Sequence, residues 1–276
     1  MKKSMLFTAV VTLGIGCLAL IVPVFGHEAR VQDPSSSDLV PHVFQAAGPT
    51  TSIIQGAVDG FRTALGVTDN RNAPGPLASG RREINWDGGG ATATAISPTP
   101  FNGFLQTRGA LYTTPGTGFV QAPLAGIADT FGKPIYSKIF QTFSPVRLFS
   151  PIGSNITDLE FFVPGDGKTP ATITGFGAVF TDVDQPDGLA GLKRATKGST
   201  LIECFGVDGN LLFVGFVPSS PGDGNLSFFG VKFDEAVIAR VRITAGNVAP
   251  GADDIGSIDV VMMDDFIYGE PQAIKK

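Results

Sequence analysis

Short apolar runs, separated by Gly, Pro, Asn and Ser, fill the second half of the chain. The runs after Pro134 lie at 139–143, 147–149, 159–163, 171–181, 201–205, 211–216 and 226–233. Asp208-Gly209-Asn210 separates two of them and predicts a hairpin turn. From Ala239 to Thr244 apolar and polar residues alternate, which indicates a strand with one buried and one exposed face. Strands and turns at this spacing are typical of an antiparallel sandwich rather than a parallel α/β sheet.

The last apolar stretch, Ile258–Gly269, is interrupted by two adjacent carboxylates, Asp264 and Asp265. A stretch this apolar predicts a strand that is buried on both faces. Carboxylates in such a strand are costly to desolvate unless something pairs with them. Because neighbouring residues of a strand point to opposite faces, we expect one of the two to face water or a loop. The other is then expected to face a cation, an arginine or backbone donors.

One segment, Thr51–Leu65, has the spacing of an amphipathic helix. Its apolar residues recur at intervals of four, three and four: Ile54, Val58, Phe61 and Leu65. Gly66 is a suitable stop for this helix. Residues 91–135 are rich in Gly, Pro, Thr and Ala and predict mostly long loop. We therefore expect one short N-terminal helix, packed on the edge of a sheet.

The N-terminus has the features of an export signal. Lys2 and Lys3 precede an apolar run from Leu6 to Val24, so residues 1–26 predict a secretory signal peptide. An uncleaved membrane anchor is the alternative, because the apolar run is nearly long enough to span a bilayer. Residues 27–49 predict a flexible leader, and residues 50–276 a single β-sandwich domain. We expect a secreted, periplasmic or cell-surface protein without stable membrane insertion after cleavage.

Composition narrows the classes of function. The formal net charge is −5, and removal of residues 1–26, which carry two lysines and no acidic residue, leaves −7. Such a chain is a poor partner for nucleic acid, which needs clustered Lys and Arg. Both histidines lie in the leader and only Cys204 remains in the mature chain, so no Cys/His zinc set is present. Cys204 lies in an apolar run and is predicted to be a core residue.

Asp182, Asp184 and Asp187 lie within six residues and are followed by Gly188. Calcium takes six to eight oxygen ligands from carboxylates, carbonyls and water, so this segment is a candidate calcium loop. The alternative is an acidic turn that keeps a sheet edge soluble. A second acidic pair, Asp253-Asp254, follows Pro and Gly and predicts a solvated turn.

Two aromatic residues, Trp86 and Tyr112, are candidates for ligand binding. Trp86 is the single tryptophan and precedes a glycine triplet, and Tyr112 lies in the loop-rich stretch. An exposed ring of either residue would offer a face on which a sugar could stack. The alternative is a core role, because large apolar side chains are mostly buried.

The ending Met263-Asp-Asp-Phe-Ile-Tyr-Gly269 resembles the final strand of jelly-roll carbohydrate-binding modules. It is also similar to the final strand of exported bacterial jelly-roll domains that precede a PEP-CTERM-like sorting tail, although no such tail follows Gln272. In the carbohydrate-binding families an aspartate of this ending often ligates a structural calcium, together with a residue from an early strand. The resemblance therefore implies a metal site at Asp265 with Asp87 or Glu83. It also implies a polysaccharide or another cell-surface component as partner.

Together these observations predict an all-β protein, an antiparallel jelly-roll β-sandwich with one short N-terminal helix. We expect a non-catalytic binding or surface-matrix module that binds carbohydrate and holds a structural Ca²⁺. A secreted glycoside hydrolase or lyase on the same fold is one alternative, because the chain carries enough carboxylates for such a pair. A purely structural envelope protein, associating through sheet edges or Phe-rich faces, is the other.

Overall fold

A computed structural model of the chain describes residues 39–185 and 200–274. The predicted signal peptide, most of the predicted leader and Asp187 lie outside these ranges. The described residues form the strands β1 (His42–Gly48), β2 (Arg81–Ile84), β3 (Ala95–Pro98), β4 (Ala110–Thr113), β5 (Gly118–Ala122), β6 (Leu148–Ile152), β7 (Ile156–Phe161), β8 (Ala171–Thr172), β9 (Gly175–Thr181), β10 (Leu201–Phe205), β11 (Leu211–Phe216), β12 (Leu226–Lys232), β13 (Arg240–Thr244), β14 (Met262–Gly269) and β15 (Gln272–Ala273). The helices are α1 (Thr51–Leu65), α2 (Leu105–Arg108), α3 (Leu124–Phe131) and α4 (Tyr136–Ile139). None of these helices is long and apolar enough to cross a membrane.

Two antiparallel sheets face each other across the main core. The larger sheet has the order β1-β12-β9-β14-β6-β5-β3, with β2 paired to β14, and the smaller sheet has the order β11-β10-β13-β7-β4. A short third sheet pairs β15 with β8. The main core takes Phe176, Phe180 and Met263 from the larger sheet, and Ile202 and Val241 from the smaller one. This arrangement confirms the predicted antiparallel β-sandwich.

The last long strand, β14, lies in the middle of the larger sheet between β9 and β6. All eight of its residues are buried. Met263 and Phe266 pack into the main core between the sheets. Met262 and Ile267 pack into two other apolar clusters, which the helices help to form. The prediction that this strand is buried on both faces is therefore confirmed.

Helix α1 covers the outer face of the larger sheet and lies where the apolar spacing placed it. Its four periodic apolar residues are buried, and they pack with Val179 of β9 and Phe228 of β12. The Phe61 ring lies over Gly177 and Gly230, which face each other across β9 and β12. A Cβ atom would lie 2.7 Å from the Phe61 ring at Gly177 and 2.9 Å at Gly230, which is too close. The two glycines thus make the depression in the sheet that receives the helix.

A second helical layer covers another part of the larger sheet. Ile127 of α3 and Tyr136 of α4 are buried against Val120 of β5 and Leu148 of β6. Residues 91–135 therefore do not form a long loop, because they contain β3, α2, β4, β5 and α3. The expectation of one helix is also wrong, because the described residues form four helices, α1 to α4. The eight residues of α3, which ends at Gly132, are too few to show a clear helical period in the sequence.

The end of the predicted leader belongs to the larger sheet. Residues 42–48 form β1, which pairs with β12 along its whole length. Phe44 of this strand packs against Phe61 of α1, with 5.5 Å between the ring centroids. Residues 42–48 are thus an ordered edge strand, and the prediction of a flexible leader is corrected for them.

The smaller sheet has one buried face and one polar face. In β13, Val241 and Ile243 are fully buried. Arg242 of the same strand donates two hydrogen bonds to the Asp158 carboxylate, at 3.0 and 2.9 Å. Strands β10 and β11 pair as the predicted hairpin, and Cys204 of β10 is buried in the core. The alternation, the hairpin and the core position of Cys204 are all confirmed.

Candidate metal site

Three aspartate side chains converge at the end of β9. Asp182 and Asp184 directly follow this strand, and Asp254 comes from the loop that precedes β14. One carboxylate oxygen from each residue lies within 4.8 Å of the other two. Because calcium holds its oxygen ligands at about 2.3–2.6 Å, three oxygens at these separations fit around one ion.

Asp182 is the most deeply buried of the three. It is 1% exposed, and no donor within the described ranges reaches either of its carboxylate oxygens. The neighbouring Asp254 carboxylate is an acceptor too, so a hydrogen bond between the two needs a shared proton. Burial, together with the Asp254 and Asp184 carboxylates, raises the pKa of Asp182 to about 9. A buried carboxyl group without a donor is costly, and a bound cation removes that cost.

Backbone donors fix the other two aspartates. Asp184 accepts the N–H of Gly222 at 2.8 Å, and Asp254 accepts the N–H of Val260 at 3.3 Å. Asp182 adopts a left-handed backbone conformation with φ of 70°, which aspartate tolerates better than most residues. The site thus joins three segments that are far apart in sequence: the end of β9, the loop before β12 and the loop before β14.

Hydrogen bonds of Asp259 and Tyr136 hold the loop that carries Asp254. Buried Asp259 accepts the N–H groups of Asp184 and Gln185 at 3.3 and 3.4 Å, and burial raises the pKa of Asp259 to about 7. The Tyr136 hydroxyl of α4 donates to the carbonyl oxygen of Ala252 at 2.6 Å. The helical layer therefore holds one side of this loop while the aspartate cluster holds the other.

The cluster contains two of the predicted ligands and one residue that the sequence assigned to a solvated turn. Asp182 and Asp184 lie together as predicted, and Asp187 lies outside the described residues. The prediction for Asp254 is corrected, because this residue is partly buried and faces the other two. No local motif connects it with Asp182. They meet because β9 and β14 are neighbours in the sheet.

A β-bulge brings Asp264 and Asp265 of β14 to the same hydroxyl group. The register of β14 against β9 shifts between Met263 and Phe266, so the two aspartates lie within the bulge. The Ser144 hydroxyl oxygen is 2.7 Å from an Asp265 oxygen and 3.3 Å from an Asp264 oxygen. The expectation that the pair points to opposite faces is wrong, because a bulge interrupts the alternation of side chains along a strand.

Protein donors surround these carboxylates. Arg62 of α1 donates to Asp265 at 3.3 Å and to Glu83 at 2.8 Å. Asp87 accepts two backbone N–H groups at 2.6 and 3.0 Å and lies 3.2 Å from the Ser144 hydroxyl. The residues for which the resemblance implied a calcium site thus meet an arginine, a hydroxyl and backbone donors. Burial raises the pKa of Asp265.

Trp86 and Tyr112 both lie inside the main core, with exposures of 1% and 0%. The Trp86 ring stacks on Phe149, with 3.7 Å between centroids and 4° between planes. Its Nε1–H donates to the carbonyl oxygen of Asp264 at 3.1 Å. Neither ring offers a face to solvent, so the prediction that they stack on a ligand is corrected. Their size and apolar character account for their burial.

Comparison of the chain with protein-family models, curated proteins and solved structures gives no match. The resemblance of the C-terminal strand to carbohydrate-binding modules and sorted exported domains therefore stays a prediction. The assignment of function rests on the chemistry of the sites described above.

Proposed function

We propose that this protein is an exported, non-catalytic β-sandwich module whose loops are fixed by one bound Ca²⁺. The proposed ligands are the carboxylates of Asp182, Asp184 and Asp254. The observation that carries the proposal is Asp182, a buried carboxylate that no donor of the described residues reaches. One oxygen each of Asp184 and Asp254 lies within 4.8 Å of an Asp182 oxygen and of one another. Protonation or a cation is needed to hold such a group in the folded chain, and calcium is the hard cation that carboxylate oxygens suit.

A cation at this position acts as a clamp that adds to the backbone hydrogen bonds by which Asp182 and Val183 already contact the loop before β12. It ties the end of β9 to the loop before β14, and through Asp184 to the loop before β12. Metal binding of this kind adds its free energy to folding, because the site does not exist in the unfolded chain. The proposed role of the ion is to set the geometry of these loops.

The finer topology and the partner are part of the same proposal. Pairing between strands far apart in sequence, such as β1 with β12 and β6 with β14, supports a jelly-roll topology. A polysaccharide or another cell-surface component stays the predicted partner. Since Trp86 and Tyr112 are buried, any such partner has to bind elsewhere on the surface.

The experiment is thermal unfolding of the exported chain in Ca²⁺, in Mg²⁺ and in a chelator. At a Ca²⁺ concentration about 100 times Kd the folded state gains about 2.7 kcal/mol. For a domain of this size each kcal/mol raises Tm by roughly 2–4 °C. We therefore expect a rise of roughly 5–10 °C in Ca²⁺ and a smaller one in Mg²⁺, which demands a tighter octahedral site.

Two matched variants locate the effect. Asp254→Asn removes a proposed ligand, and the calcium shift should then be lost. Asp253→Asn changes the exposed neighbour, which pairs with Lys133, and should leave the shift intact. Equal Tm values in calcium and in chelator would refute calcium binding at this site. The three aspartates would then be a cluster of carboxyl groups that share protons.

A further inference from the structure

An apolar groove is lined by the β10–β11 turn, β8 and β15, and it shares no residue with the aspartate cluster. Its main part has a volume of about 760 Å³ and is lined by Leu39, Val207, Leu212, Val237 and Ile274. An adjoining cavity of about 310 Å³ shares Val207 and Ile274 and extends the groove toward β7. Volumes of this order are typical of ligand pockets.

The apolar side chains of the groove are unusually open to solvent. Leu39 is 41% exposed, Val207 61% and Ile274 37%. Contiguous exposed apolar side chains with polar groups at their border mark interaction surfaces. The groove therefore has the character of a binding surface rather than of a packing defect.

Among the described residues, the charged side chains that line the main part of the groove are acidic. Asp208 and Glu235 line the main part, and no Lys or Arg within the described ranges lines it. Glu160 lies in the adjoining cavity, where the one arginine, Arg240, donates to Asp158 at 2.7 Å. A ligand that covers the apolar floor thus lies beside carboxylates and gains from positive charge of its own.

We propose that this groove binds a peptide segment that carries apolar side chains together with Lys or Arg. The apolar lining suits the apolar side chains of the peptide, and the carboxylates suit the basic ones. Among the described residues, no aromatic ring lines the main part of the groove, so this part lacks a stacking platform for a sugar. Phe161 and Phe162 line only the adjoining cavity. The site goes beyond the calcium-dependent function and does not depend on it.

The test uses fluorescence polarisation with labelled peptides and the exported chain. The probe alternates leucine and lysine, and two control peptides alternate leucine with glutamate and serine with lysine. We expect the leucine–lysine peptide to bind at least about tenfold more tightly than either control, since both the apolar and the basic side chains contribute. Equal binding of the serine–lysine peptide would show attraction to net charge alone and would overturn the proposal.

Matched variants decide whether the groove is the site. Glu235→Lys should weaken binding about tenfold or more, because it places a positive charge in the groove. Asp129→Lys makes the same charge change at an exposed residue of α3, outside the groove. This variant should bind the peptide as tightly as the unchanged chain does. Ile274→Ser should weaken binding through loss of apolar contact. Equal affinities of Glu235→Lys and Asp129→Lys would refute the site. Asp254→Asn should lose the calcium response while keeping peptide affinity, so the two proposals fail independently.

Discussion

Replacing Asp182 by asparagine should change stability in opposite directions with and without calcium. In a chelator the Asp182 carboxyl is buried next to two other carboxylates, and no donor in the described part of the chain reaches it. Asparagine has nearly the same shape, and its amide N–H groups can donate to Asp184 and Asp254. The variant therefore places a permanent donor where the ionised carboxylate has none, and at the same time it removes a proposed calcium ligand.

The size of both effects follows from the burial of this residue. Above about pH 9 the Asp182 carboxyl is ionised, and an unsatisfied buried polar group costs about 1–3 kcal/mol. Asp182→Asn should therefore gain about 2 kcal/mol in a chelator at that pH. At a Ca²⁺ concentration about 1,000 times Kd the unchanged chain gains about 4.1 kcal/mol. The variant should gain little, so the order of stability reverses in calcium.

The stabilities of the unchanged chain and of Asp182→Asn should also differ in their dependence on pH. Burial raises the pKa of Asp182 to about 9, so the folded chain holds this proton more tightly than the unfolded chain does. Without calcium, the unchanged chain therefore loses stability as pH rises from the ordinary carboxyl pKa toward about 9. Asparagine carries no such proton, so this part of the loss should be absent in the variant.

Urea unfolding at several pH values, each in calcium and in chelator, measures all of these quantities. Asp253→Asn serves as the control, because it alters an exposed carboxylate of the same loop. An Asp182→Asn variant that is less stable than the unchanged chain in a chelator above about pH 9 would refute the account of Asp182. The account would also be refuted if calcium raised the stability of the variant as much as that of the unchanged chain.

Other substitutions test the remaining parts of the structure. Burial raises the pKa of Asp264 well above its usual range, so the folded chain needs a proton on this group. Asp264→Asn removes that need, and urea unfolding in calcium should show a smaller loss of stability as pH rises. An unchanged pH profile would contradict this. Phe61→Ala should cost about 3–5 kcal/mol because the ring is fully buried over the sheet, whereas Ile53→Ala on the exposed side of the same helix should cost under about 0.5 kcal/mol; similar losses would show that α1 does not pack as described. Glu270→Gln should cost about 3–5 kcal/mol, since Glu270 accepts two hydrogen bonds at 2.6 and 2.7 Å from Arg82, which is fully buried; a loss below about 1 kcal/mol in chemical denaturation would argue against this pair.

The features that the sequence predicted well are those with a local period or a local turn. Helix α1 shows four apolar residues on one face, and β13 shows strict alternation, so each reveals its own buried side. The Asp208–Asn210 turn is likewise encoded in adjacent residues. The mostly apolar character of β14, which only Asp264 and Asp265 interrupt, reflects helices on one side of the strand and the smaller sheet on the other.

The features that the sequence did not reveal depend on contacts between distant segments. Strand β1 looks like a polar leader until β12 supplies its hydrogen-bond partners. The bulge at Asp264 and Asp265 is set by pairing with β9, which reverses the expected direction of one side chain. Asp254 meets Asp182 only because their strands are neighbours in the sheet, so no spacing motif could connect them.

Calorimetric titration of the exported chain with Ca²⁺ measures binding at the aspartate cluster. We predict one ion bound per chain, loss of that binding in Asp254→Asn and its retention in Asp253→Asn. Absence of binding at millimolar Ca²⁺, or equal binding by the unchanged chain and Asp254→Asn, would contradict the assignment of Asp182, Asp184 and Asp254 as a calcium site.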